Sequence, residues 1–162
     1  MVLSLGANLG DRLGTLQECV QVIAGLPDTD VLAISPVYET APVGGPPQPD
    51  YLNAVLLIRT GLPPRDLLDA IGGIEARFGR VRAERFGPRT LDIDIISYEG
   101  QVSDDPVLTL PHPRAHERVF VLLPWSDLDP EAELPGRGPV AALLADLDRT
   151  GVRPVPGAVL RP

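Results

Sequence analysis

Apolar and polar positions along the chain change period several times, and each change marks an element. Residues 2–7, VLSLGA, alternate like a short strand, and the GANLGD run at 6–11 turns the chain. Leu13, Leu16, Val20 and Ile23 then recur at helical spacing, and Leu26, Pro27 and Asp28 mark the stop. Residues 30–39 and 51–60 read as two β segments separated by the loop APVGGPPQPD. Pro63 and Pro64 open a second amphipathic helix whose buried face is Leu67, Leu68, Ile71, Ile74 and Phe78, despite the weakening pair Gly72 and Gly73. Residues 90–98 form another strand, followed by a turn near Glu99 and Gly100 and a short strand at 106–110. The pattern predicts a helix over 114–123 halted by Pro124, a short helix over 139–147, and an irregular acidic, proline-rich tail.

Read to residue 98, the order is β-α-β-β-α-β, that of the ferredoxin-like split unit: an α+β fold whose antiparallel sheet carries helices mainly on one face, with C-terminal additions. At 162 residues the chain suits a single domain spanning 1–162. The uncovered sheet face is free to be polar. In the strand LDIDI, Leu91, Ile93 and Ile95 share one side, and Asp92 and Asp94 share the other. Two carboxylates two residues apart sit roughly 7 Å from each other, a spacing that can share hard cations and a bound polyphosphate. The plainer alternative is a solvated strand face.

Charge sharpens the choice. The net charge of −8 argues against a general affinity for nucleic acid. All 14 basic residues are arginine, so a lysine-dependent P-loop is excluded. Yet Arg77, Arg80, Arg82, Arg85 and Arg89 lie together just before the aspartates, with Glu84 alone opposing them. Arg80, Arg82 and Arg89 suit phosphate oxygens through charge-assisted bonds, whereas Arg77 and Arg85 read as an exposed basic surface. Asn53, an amide in an apolar strand, must find partners, and Tyr51 on the same face could bind a flat heterocycle or simply pack. Cys19 lies on an apolar helical stripe and reads as a core residue. The N-terminus has no basic leader, and no apolar run reaches the roughly 20 residues needed to span a bilayer, so a cytoplasmic chain with no membrane partner is expected.

Four segments, in order, resemble one family: SLGANLGD at 4–11, YETAPVGGPPQPDYLNAV at 38–55, GRVRAERFGPRTLDIDI at 79–95 and LTLPHPRAHERVF at 108–120. They are similar to 6-hydroxymethyl-7,8-dihydropterin pyrophosphokinase, the folate-pathway family that moves diphosphate from ATP to a pterin alcohol and releases AMP. The resemblance implies two Mg2+ ions held by Asp92 and Asp94, with Arg80 and Arg89 completing the catalytic set. It implies ATP contacts at Arg82, Ile95, Thr109, His112 and Arg118. It also implies a pterin pocket of Thr40, Pro42, Val43, Gly44, Tyr51, Asn53, Phe86 and Phe120, with Glu75 supporting the site from the second helix. Phe86 stands where the family commonly has tryptophan. Loops at 43–50 and 79–88 flank the site and could close over both substrates, and a monomer is expected. A metal-dependent phosphohydrolase could use the same aspartates and arginines without needing the Tyr51, Asn53 and Phe120 pocket, and a non-catalytic nucleotide or pterin sensor would bind its ligands without converting them.

Overall fold

The first strand, β1 (Val2–Ala7), is buried along its whole length rather than alternating in and out. A strand buried on both faces belongs in the middle of a sheet with cover on each side. The computed structural model describes residues 1–79 and 90–162. After β1 come α1 (Arg12–Ala24), β2 (Thr29–Ile34), β3 (Tyr38–Thr40), β4 (Tyr51–Thr60), α2 (Pro64–Arg77) and β5 (Asp92–Ser97). The remainder comprises the hairpin β6 (Ser103–Asp105) and β7 (Leu108–Leu110), a 3-10 turn at Ala115–Glu117, α3 (Val119–Leu128), the short pair β8 (Glu133–Leu134) and β9 (Gly138–Pro139), α4 (Val140–Ala145) and β10 (Val152–Pro154).

Among the described residues, the main antiparallel sheet runs β10-β3-β4-β1-β5, and β2 also pairs with β4. β2 and β3 take successive stretches of the long β4, which extends for ten residues. The single segment expected at 30–39 is therefore two strands. Pro36 lacks an N–H and cannot continue a ladder. Ser35 bridges the break: its N–H donates to the Val55 carbonyl at 2.9 Å, and its hydroxyl accepts from the Val55 N–H at 2.8 Å.

α1 begins at Asp11, whose carboxylate accepts from the Gly14 N–H at 3.0 Å, a side-chain N-cap. It buries Leu16, Cys19, Val20 and Ile23, while Leu13 at the open end of the stripe is 37% exposed. The helix stops at Ala24, ahead of the expected Leu26, because Gly25 already caps the last turn by donating to Gln21 and Val22. α2 starts after Pro63, as the proline pair predicts. α1 and α2 cover one sheet face through Leu3, Leu5, Leu56, Ile93 and Ile95.

The other face is not bare. A second apolar cluster joins Val2, Val55 and Ile96 to Val121, Leu122 and Trp125 of α3 and to Val140 and Leu144 of α4. Helices thus pack on both faces, a correction to the one-sided arrangement. Pro124 lies inside α3 instead of ending it. Burial of Val121, Leu122, Pro124 and Trp125 outweighs the one backbone bond that proline cannot make. The tail is ordered too, since β10 extends the sheet beside β3 and Leu160 is buried in the first core. No helix among the described residues is long and apolar enough to cross a membrane.

Candidate active site

Strand register builds the site's floor. Gly6 in the centre of the sheet lies opposite Asn53 of β4 on one side and Asp92 of β5 on the other, and Ser4 likewise lies between Val55 and Asp94. Directly paired residues share a face, so Asn53, Asp92 and Asp94 point the same way, away from the core formed by Ile93 and Ile95. α3 and α4 cover only part of this face. The rest opens into a cavity of about 610 Å³ lined by both aspartates, Thr40, Tyr51 and Asn53, with the wall completed by α3, the 41–50 loop and the chain before β10.

Gly6 keeps the floor low. A Cβ there would stand 3.0 Å from Asn53 Oδ1 and 3.6 Å from Tyr51 Cδ1. Asn53 is buried and donates through Nδ2 to Thr40 Oγ1 at 2.6 Å, which sets the orientation of its amide. The Tyr51 hydroxyl donates to Gln48 Oε1 at 3.4 Å. Asn8, also buried, donates to that same Oε1 at 2.9 Å and to the Pro49 carbonyl at 3.2 Å, so the turn after β1 anchors the loop before β4. Pro42, Val43 and Gly44 line the cavity from this loop, Phe120 lines it from α3, and Val43 is 71% exposed.

The acidic end is matched with arginine. Arg118 donates to Asp94 Oδ2 at 3.0 Å, and its guanidinium carbon lies 5.6 Å from the centre of the Phe120 ring, a cation–π arrangement that joins the two ends of the cavity. His112 Nδ1 accepts from the Arg114 N–H at 3.1 Å, which leaves the proton of the neutral ring on Nε2, 4.0 Å from Asp94 Oδ2. Burial, then the Arg118 charge, push the imidazole pKa down to about 4, so the ring is neutral at physiological pH. A hard cation fits Asp92 and Asp94 by donor type. Among the described residues no group of three or more His, Cys, Asp or Glu side chains is placed to hold a metal ion.

Arg80, Arg82, Phe86 and Arg89 lie outside the described residues. Ile95 points its side chain into the core on the opposite face, because it is out of phase with the aspartates, so that side chain is no part of the cavity. Thr109 sits on the β6–β7 hairpin with its hydroxyl donating to the Asp105 carbonyl at 3.0 Å, outside the cavity wall. Glu75 is buried beneath the floor, where its carboxylate accepts from the Ile93 N–H at 2.9 Å and holds the start of β5 to α2. Arg77, read as surface, pairs with Glu18 at 3.2 Å. Sequence reasoning missed Gly6, Asn8, Gln48 and the wall at Thr150, Gly151 and Val152. The first two stand in the conspicuous GAN turn and Gln48 in the 38–55 segment, but nothing local marks the wall at 150–152.

Residues 2–130 match the family model described as 7,8-dihydro-6-hydroxymethylpterin-pyrophosphokinase (HPPK). The chain is 41% identical over 155 residues to a Pseudomonas aeruginosa protein, covering 96% of both chains. It is 45% identical over 169 residues to one from Mycobacterium tuberculosis, covering 94% of this chain and 88% of the relative. Both are named 2-amino-4-hydroxy-6-hydroxymethyldihydropteridine pyrophosphokinase. Among solved structures, an HPPK-DHPS in complex with substrates aligns at a TM-score of 0.65 and 13% identity, a likeness of fold. The alignment covers 89% of this chain and 42% of that one, so the chain spans less than half of the solved protein.

Proposed function

The chain belongs to the 7,8-dihydro-6-hydroxymethylpterin-pyrophosphokinase family, which transfers diphosphate to hydroxymethyldihydropterin in folate biosynthesis, and we propose that the polar sheet face carries this reaction. The observation that carries the reading is the register at Gly6. It sets a pair of carboxylates and a buried amide beside an aromatic ring on one floor, within one cavity. One end suits a metal-bound triphosphate, and the other suits a flat heterocycle with hydrogen-bonding edges.

Asp92 and Asp94 would hold two Mg2+ ions, which when bound would neutralise charge on the phosphate groups. Arg118 contributes charge to the phosphate oxygens, with neutral His112 donating from Nε2. Arg80, Arg82 and Arg89 serve the same triphosphate, and Thr109 supports the ATP side. Thr40, Asn53, Tyr51 and Phe120, with Pro42, Val43, Gly44 and Phe86, hold the pterin. Thr40 fixes the Asn53 amide, so its free edge presents one pattern of donor and acceptor to the ring. The hydroxymethyl oxygen attacks the β-phosphorus in line. Its new O–P bond forms as the bond to the α–β bridging oxygen breaks, AMP leaves, and the hydroxyl proton is released. The chain's main contribution is positioning and charge. With β2 and β3 counted as two parts of one broken strand along β4, the frame reads as the ferredoxin-like β-α-β-β-α-β, and the enzyme acts as a cytoplasmic monomer without nucleic-acid or membrane partners.

The test is nucleotide analysis after mixing the protein, magnesium, ATP and 6-hydroxymethyl-7,8-dihydropterin. AMP should appear in step with pterin diphosphate and only when the pterin is present. ADP or free phosphate would overturn the reading. Asp94→Asn should keep the fold and lose about a hundredfold or more of the turnover, and near-normal turnover at limiting magnesium would remove Asp94 from the metal site.

A further inference from the structure

We infer that Glu39 is a positioning residue for the second substrate, one carboxylate that ties down both ends of the 41–50 loop. The inference rests on the reading that Thr40, Tyr51 and Asn53 face the pterin. Glu39 lies between Tyr38 and Thr40 on β3, so its side chain leaves the sheet on the face away from the cavity. There Oε1 accepts from Arg12 Nη1 at 2.9 Å, and Oε2 accepts from Arg153 Nε at 3.1 Å and Nη2 at 2.7 Å. The same two arginines reach the far end of the loop. Arg12 Nη1 donates to the Asp50 carbonyl at 2.8 Å, and Arg153 Nη2 lies 3.6 Å from Asp50 Oδ2.

Residues 39 and 50, which bracket the loop, thus share one charge-balanced group of two guanidiniums and two carboxylates. Its members come from α1, β3, β10 and the last residue of the loop before β4. A loop of proline and glycine has little side chain of its own with which to choose a shape, so its anchors decide where Pro42 to Gly44 stand over the cavity. β10 closes the same corner on the other face. The Ala41 N–H donates to the Gly151 carbonyl at 3.0 Å, and Gly151 has φ +77° with Ala41 so near that a Cβ would stand 3.2 Å from the alanine methyl. Thr150, Gly151 and Val152 then line the cavity. This wall lies beyond residue 130, where the family match ends.

Steady-state kinetics with Glu39→Gln and Arg153→Gln, singly and together, test the assignment. Each single change should raise the pterin KM roughly tenfold and leave the ATP KM within about twofold, and the double variant should be no worse than either single one, because the pair acts as a unit. Arg153→Lys should recover part of the loss. Tyr51→Ala is the reference for the pterin side. If Tyr51→Ala raises the pterin KM while Glu39→Gln lowers only the Tm and moves neither KM, the latch is merely structural and the inference is overturned. If Tyr51→Ala raises the ATP KM instead, the assignment of the pterin side fails and the inference falls with it.

Discussion

A methyl group on Gly6 would press on Asn53 Oδ1 at 3.0 Å, and Asn53 cannot simply yield because its Nδ2 is committed to Thr40 at 2.6 Å. Gly6→Ala should therefore distort the amide proposed to read the pterin edge before it disturbs the phosphate end. An overpacking cost of about 1–3 kcal/mol, carried into the bound state, corresponds to a roughly 5- to 150-fold loss of kcat/KM for the pterin, with ATP binding by calorimetry much less affected. Equal losses for both ligands would mean that the methyl acts through Asp92 instead. The aspartates were legible from the sequence because a strand's period of two is a local rule. Gly6 was not, since its importance depends on what two other strands place beside it.

At the scale of elements, Glu39 joins β3 to α1 and β10. The hydrogen bond from Arg12 first, then that from Arg153, hold its carboxyl below the ordinary value of 4.5. A group whose folded pKa is depressed stabilises the fold above its unfolded pKa and loses that contribution as pH falls through the folded value. The stability difference between the parent chain and Glu39→Gln should thus be constant from about pH 8 to 5 and shrink at lower pH, measured by urea unfolding. Its size should be at most about 1 kcal/mol, because Arg153 is solvent-screened. A difference that grows below pH 4.5 would contradict this sign. Strand and helix positions carried by local period were readable. The split at Pro36 and the continuation of α3 through Pro124 were resolved differently: a ladder cannot replace proline's missing donor, whereas a buried helix can tolerate the loss.

For the whole molecule, two apolar clusters on opposite faces of one sheet bury its centre twice. Cys19 lies in the first cluster with no exposed surface, and burial, aided by the nearby Glu75 charge, pushes its thiol up to about 12. Such a thiol is inert while the core is closed. Labelling by Ellman's reagent near pH 8 should follow the rate at which the core opens and slow when ATP and pterin are bound. Rapid stoichiometric labelling of the native chain would show that α1 lifts from the sheet independently.

By itself the sequence determined the alternation that separates Asp92 and Asp94 from Ile93 and Ile95, the helical stripes of α1 and α2, and the motifs that mark the family. All of these depend on neighbours a few residues away, where backbone period and turn chemistry dominate. Tertiary structure alone decided that the tail becomes β10, that helices cover both faces, and that Gly6 forms the floor between amide and carboxylates. It also decided that Arg153 meets Glu39 across 114 residues of chain. Such contacts arise only when strand order and register bring distant segments together, and edge pairing is set by which ladder remains open once the local elements have packed.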